Sequence, residues 1–131
     1  MIIDFTVSNF LSFRDSQTLS FVADTPYTTH SEHLLDTPLK DLKLLKTVVI
    51  YGANASGKSN LLKALHQLKF LVLTSAQNTP NESLAVSPFV LDKQMQKEPS
   101  FFEINFFCND IKYNYSVLLD SEKVHYEYLS Y

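Results

Sequence analysis

Hydrophobic and polar positions change period several times along this chain. Ile3, Phe5 and Val7 alternate with Ile2, Asp4 and Thr6 over residues 2–7, the period of two that marks a half-buried strand. Alternation returns in QTLSFVA at 17–23, and with NFLSFRDS between them the two segments predict a strand pair closing an antiparallel layer. From Asp24 to about Leu39 the chain is rich in Thr, Pro, Ser and His and has no period. That connection is long for a compact domain and reads as either a working loop or a disordered one. LLKTVVIY at 44–51 ends in a β-branched run, the pattern of a strand buried on both faces. Leu61, Leu65, Leu68 and Val72, with Leu62 beside them, then recur at helical spacing. They predict a helix over 58–75 with Lys63, His66, Gln67 and Lys69 mostly outward. TSAQNTPNES at 74–83 ends it in turn formers.

The last third alternates again and is aromatic. SFFEINFFC (100–108), IKYNYSVLL (111–119) and KVHYEYLSY (123–131) are separated only by ND and DSE, connections short enough to predict an antiparallel meander. Most of the ten Phe and seven Tyr sit in strand segments, so these strands need something packed over them. No repeat or low-complexity block interrupts the pattern. The chain stops inside a strand pattern, at EYLSY, and reads as the N-terminal piece of something longer.

Composition adds limits. At 131 residues and 45% hydrophobic, the chain fits one domain with a real core. A net charge of −3 supplies no global field for nucleic acid or an anionic membrane, so any DNA contact must be local or come from outside this chain. The apolar stretch FLVL at 70–73 is far shorter than the roughly 20 residues that span a bilayer. MIIDFTVSNF lacks the basic leader and cleavage site of a secretory signal, which leads to a cytoplasmic expectation with no membrane partner. The single cysteine, Cys108, cannot close an internal disulfide and is expected to be a packed thiol.

Both glycines of the chain, Gly52 and Gly57, stand in one stretch, Gly52-Ala53-Asn54-Ala55-Ser56-Gly57-Lys58-Ser59. It fits the phosphate loop G-x-x-x-x-G-K-[ST]. Glycines allow conformations and close approaches that let successive N–H groups form a concave anion nest. The helix that begins after Gly57 adds free N–H groups and the positive end of its dipole. Lys58 supplies a point charge for β and γ oxygens, and the Ser59 hydroxyl can ligate Mg²⁺. A β-branched run before and an amphipathic helix after provide the context the motif requires. Hydrolysis also needs an acidic residue at the end of a buried strand and a group that positions water. SVLLD at 116–120 imitates such a strand, but it leads into a turn, and Asp120 reads as a turn residue.

These stretches resemble the N-terminal lobe of ABC-type ATPases sharing the head fold of the structural-maintenance-of-chromosomes (SMC), RecF and related DNA-repair proteins. More narrowly, they are similar to bacterial RecF-like AAA family ATPases of phage-defence loci. MIIDFTVSNFLSFRDSQTLSF resembles the first strand pair with its N-F-x-S-F-x-D stretch. YGANASGKSNLLKAL resembles the phosphate loop, including Asn60 after Ser59, and EPSFFEINFF onward resembles the strands that follow. Ala55 departs from the glycine usual in ABC and SMC loops, as the defence-associated branch tolerates.

The resemblance implies an α/β (α+β) P-loop NTPase lobe like the ABC/SMC head, a mixed sheet around one main helix with an antiparallel β-meander. It would be organised as a strand pair at 1–23, strand, loop and helix at 44–76, and meander at 100–131. ATP and Mg²⁺ are the implied cofactors. Phe13, Arg14 and Ser12 would lie near the base, with the alternative that Phe13 is core and Arg14 a solvated turn residue; Asn54 would shape the loop or face the γ-phosphate. The implied partners are a C-terminal lobe carrying the signature motif and catalytic acids, a second head in a homodimer, and an effector such as a nuclease or DNA-gripping arm. Gln94 and Gln96 are weak candidates for a linking loop, His30 and His33 read as solvent-facing, and Glu103 and Glu127 have no visible partner. Competing readings are a small P-loop kinase, against which the single arginine counts, and a non-catalytic nucleotide-binding interaction module.

Overall fold

Strand β1, Ile2–Ser8, is the alternating segment at the start of the chain, and its inward side chains Phe5 and Val7 are fully buried. The computed structural model describes residues 1–24, 30–75 and 83–131. Residues 25–29 of the long polar connection and 76–82 of the stretch after the helix lie outside the described residues. β1 pairs antiparallel with β2, Gln17–Ser20, on one side and with β5, Ser100–Cys108, on the other. The meander continues through β6, Ile111–Leu119, and β7, Val124–Ser130, so the five-stranded order is β2-β1-β5-β6-β7. The expected strand pair and meander are both present, joined through β1 and β5 into one sheet.

Every strand pairing among the described residues is antiparallel, which corrects the expectation of a mixed sheet. The reason lies in residues 44–51. Only Lys43–Leu45 is strand there (β4), in a small hairpin with β3, Leu34–Asp36, inside what reads as an aperiodic connection. Leu44 is buried with Ile3 and Phe107 in a satellite cluster. Beyond it the β-branched run leaves the sheet: Val49 is 79% exposed and Tyr51 92%. No described strand lies beside this run, so its backbone joins no ladder among the described residues and Val49 and Tyr51 stay exposed.

Helix α1, Lys58–Thr74, crosses one sheet face and meets the expected bounds within a residue. Its buried stripe is Ala64, Leu68 and Leu71, with Leu61 and Leu65 half-buried, packed against Phe5, Phe102 and Val117. Val72 is instead 53% exposed, correcting its assignment to the core. After Phe70 every residue to Leu73 is apolar, so several helical stripes fit the same sequence and the helix's orientation on the sheet selects one. Burying each large core side chain contributes about 1.5–3 kcal/mol.

A buried polar residue joins the two halves. Asn9 is 1% exposed and left-handed (φ 49°), a conformation asparagine tolerates where the strand must turn. Its side-chain amide donates to the carbonyls of Met95 (2.8 Å) and Glu98 (2.7 Å), and its side-chain oxygen accepts from the Phe89 N–H (3.0 Å). Its own carbonyl accepts from the Ser100 hydroxyl, and the neighbouring Leu11 N–H donates to Ser87 (2.9 Å). Residues 83–99 thereby become a strap fastened across the 9–14 turn. Asn9→Ala removes the partner of the Met95, Glu98 and Pro99 carbonyls and of the Phe89 amide, and is expected to lower unfolding free energy by about 3 kcal/mol. Asn9→Asp, which keeps the acceptor but removes both donors, should also destabilise; urea unfolding followed by circular dichroism measures both.

Candidate functional site

Residues 52–57 turn into α1 through two left-handed positions, Ala55 (φ 64°) and Gly57 (φ 94°). Gly57 is the helix N-cap, and no side chain caps this end. The Asn60 and Leu61 amides return to the Gly57 carbonyl, while those of Lys58 and Ser59 pair with no acceptor among the described residues. They are open donors at the positive end of the helix dipole.

The two glycines serve different needs. A methyl at Gly52 would stand 3.1 Å from Ser56 Oγ, so that position requires close approach. At Gly57 the positive φ matters too, and a methyl there would lie 3.2 Å from Ser12 Oγ and 3.6 Å from the Phe13 ring. Lys58 Nζ donates to the carbonyls of Gly52 (2.8 Å) and Ala53 (2.7 Å), which folds the side chain across the loop as a brace. Asn54, Ala55, Ser56, Gly57, Lys58, Ser59 and Asn60 line one cavity of about 350 Å³. The Asn60 amide donates to Ser12 Oγ (2.9 Å), tying the first turn of α1 to the 9–14 turn.

A second cavity, of about 400 Å³, shares Ala55 and Ser56 with the first and is lined by Ser12, Phe13, Arg14, Asp15, Gln17 and Phe89. Phe13, Arg14 and Ser12, expected together, are thus brought beside the loop. Phe13 is half-buried against the main core as well, so it serves both. Arg14 is not simply solvated: Nε and Nη2 donate to Asp92 Oδ2 at 3.2 and 3.1 Å. Asp92 is held below the usual carboxylate range by the Gln94 backbone N–H first and by Arg14 second.

Phe89, Asp92 and Asn9 escaped sequence reasoning. Asn9 stands within the N-F-x-S-F-x-D stretch, but nothing local shows what it bonds. Phe89 had one available signal, the lone ring of residues 83–99.

Other expectations resolve away from this site. Asp120 is the turn residue anticipated: its Oδ1 accepts from the Glu122 and Lys123 amides, and its Oδ2 lies 2.6 Å from His125 Nε2. The His125 bond first, then those amides, pull its carboxyl down to about 2. Glu127 does have a partner, the Tyr115 hydroxyl (2.8 Å), and burial first, then Glu127, raise that phenol. His30 and His33 are exposed as expected, but Glu32 joins them at 3.1 and 3.5 Å. Cys108 is exposed at the end of β5, correcting the packed-thiol expectation. Gln94 and Gln96 lie on the strap around a short 3-10 turn, Met95–Lys97.

An uncapped helix N-terminus, a glycine-dependent loop and a lysine brace, all set against a sheet, define a phosphate-loop NTPase-like domain. Residues 48–130 match the family described as "AAA domain, putative AbiEii toxin, Type IV TA system", and the chain belongs to that family. The match takes in the loop, α1, the strap and β5 to β7. No curated protein and no solved structure gives a significant match. Among the described residues no helix is long and apolar enough to cross a membrane.

Ala55 and Gly57 should respond oppositely to exchange. Ala55→Gly relieves a left-handed alanine and is expected to raise stability by up to about 1 kcal/mol, whereas Gly57→Ala should cost about 1–3 kcal/mol; thermal unfolding compares them. Asp120 should titrate near 2 by carboxyl-carbon NMR and move back up in His125→Ala. Because its folded value is depressed, its stabilisation is present above the ordinary carboxylate range and is lost as pH falls toward about 2.

Proposed function

We propose that this chain is the ATP-binding N-terminal lobe of an SMC/RecF-like ATPase of the defence-associated kind. The observation that carries the reading is the phosphate loop itself: open Lys58 and Ser59 amides, Lys58 braced on Gly52 and Ala53, and a cavity at the start of α1. In this reading Gly52 to Asn60 hold the triphosphate. Lys58 would lie against the β and γ oxygens, and Ser59 would offer its hydroxyl to Mg²⁺, whose charge would neutralise the phosphates. Phe13 and Arg14 would border the nucleoside.

Two observations support a lobe that binds but does not turn over alone. No carboxylate is among the residues lining the phosphate cavity, and Asp120 is committed to its own turn. Val49, Ile50 and Tyr51, directly before the loop, are exposed apolar side chains. A C-terminal lobe would add a strand there and bring the acid that holds Mg²⁺ through water. Two such heads would then close over ATP, and hydrolysis would drive a DNA-directed or phage-defence effector in the cytoplasm.

Calorimetric titration of ATP, with and without Mg²⁺, tests this. Lys58→Ala should weaken binding about 10- to 100-fold, the loss expected for charge-assisted bonds. Ser59→Ala should remove most of the Mg²⁺ enhancement, while phosphate release by the parent chain stays at background. Phosphoryl transfer to a small acceptor would turn the reading toward a kinase, and binding indifferent to Lys58→Ala would end it.

A further inference from the structure

Phe89 is a ring with no assigned role, yet it borders the cavity that continues from the phosphate loop through Ala55 and Ser56. Its position is fixed from behind, because its backbone amide donates to the buried Asn9 side chain at 3.0 Å. Three residues further along the strap, Asp92 holds Arg14 through two hydrogen bonds, and Asp15 lies 3.5 Å from the same guanidinium. Arg14, the only cation among the described residues lining this cavity, is therefore already paired with two carboxylates, which makes the wall a poor site for a further phosphate. What it offers is aromatic surface from two separate segments, Phe13 on the 9–14 turn and Phe89 on the strap, with the polar side chain of Gln17 beside them. A volume of about 400 Å³ falls within the range of ligand pockets.

We infer that the strap forms the nucleoside wall of the site, with Phe89 packing on the base or ribose of a nucleotide whose phosphates occupy the loop. This inference rests on the phosphate-loop reading and adds the residue that selects the nucleotide over inorganic polyphosphate: the ring face of Phe89, rather than a further charge. Asp92 acts as a positioning residue. It bonds Arg14, which lines this cavity and not the phosphate cavity.

Binding of ATP and of inorganic tripolyphosphate, each with Mg²⁺, to the parent chain, Phe89→Ala, Phe89→Leu and Lys58→Ala tests the assignment. Loss of an aromatic face under a base should weaken ATP roughly 5- to 100-fold. Tripolyphosphate binding should be unchanged in both Phe89 variants. Phe89→Leu keeps apolar packing for the strap, so a fall in ATP affinity there separates loss of the ring from misfolding, and Phe89→Trp should restore affinity. Parent-like ATP binding in both variants, or equal losses for ATP and tripolyphosphate, overturns the strap assignment while Lys58→Ala still weakens both ligands. If Lys58→Ala changes neither, or the parent binds neither at millimolar concentration, the phosphate-loop reading falls with it.

Discussion

Asn9 is the constraint on which the rest of the structure hangs. A buried amide with both donors and its acceptor engaged has its desolvation offset by those bonds and is costly to lose, because each partner it abandons is left buried. Its bonds run to Phe89, Met95 and Glu98, 80 to 89 residues away in sequence, and its carbonyl takes the hydroxyl of Ser100 at the start of β5. One side chain thus sets the end of β1, the turn carrying Phe13 and Arg14, and the strap that leads into the meander. The register between β1 and β5, with Val7 opposite Phe102, places the inward side chains that receive α1.

The phosphate loop is held from one side. Behind it α1 is anchored on the sheet by Ala64, Leu68 and Leu71, and Asn60 fastens the helix start to Ser12. Before it runs an extended segment with no described strand beside it, so Lys58, bonded back to Gly52 and Ala53, is what closes the loop on itself. The left-handed Ala55 adds strain at the same place. A loop built this way depends on its helix for position and on the lysine for shape. Its family membership accords with that design, since phosphate loops work by presenting backbone amides rather than catalytic side chains.

Apolar surface left uncovered lies on more than one side. Leu62, Phe70 and Leu73 are exposed on α1, and Val49 and Tyr51 on the segment before the loop. Beside α1 a groove lined by Val72, Leu73, Phe106, Tyr115 and Leu129 has no polar surface. Exposed apolar surface that is contiguous marks places where other protein can pack.

Local chemistry was legible in the residues alone. Alternation at 2–7 and 100–131 is imposed by the pleat, the helical recurrence by the 3.6-residue turn, and the glycines at 52 and 57 by a backbone that must act as ligand; each is a property of neighbours in the chain. Tertiary structure alone decided which strands became partners, so that β1 lies against β5 and the run at 47–51 beside no described strand. It also chose Leu71 over Val72 on a helix end where both are apolar, and brought Phe89 to the cavity beside the loop, with Asn9 bonded to its backbone amide and Asp92 to Arg14. Those outcomes depend on contacts between distant residues, and periodicity carries no information about which distant surface a segment will meet.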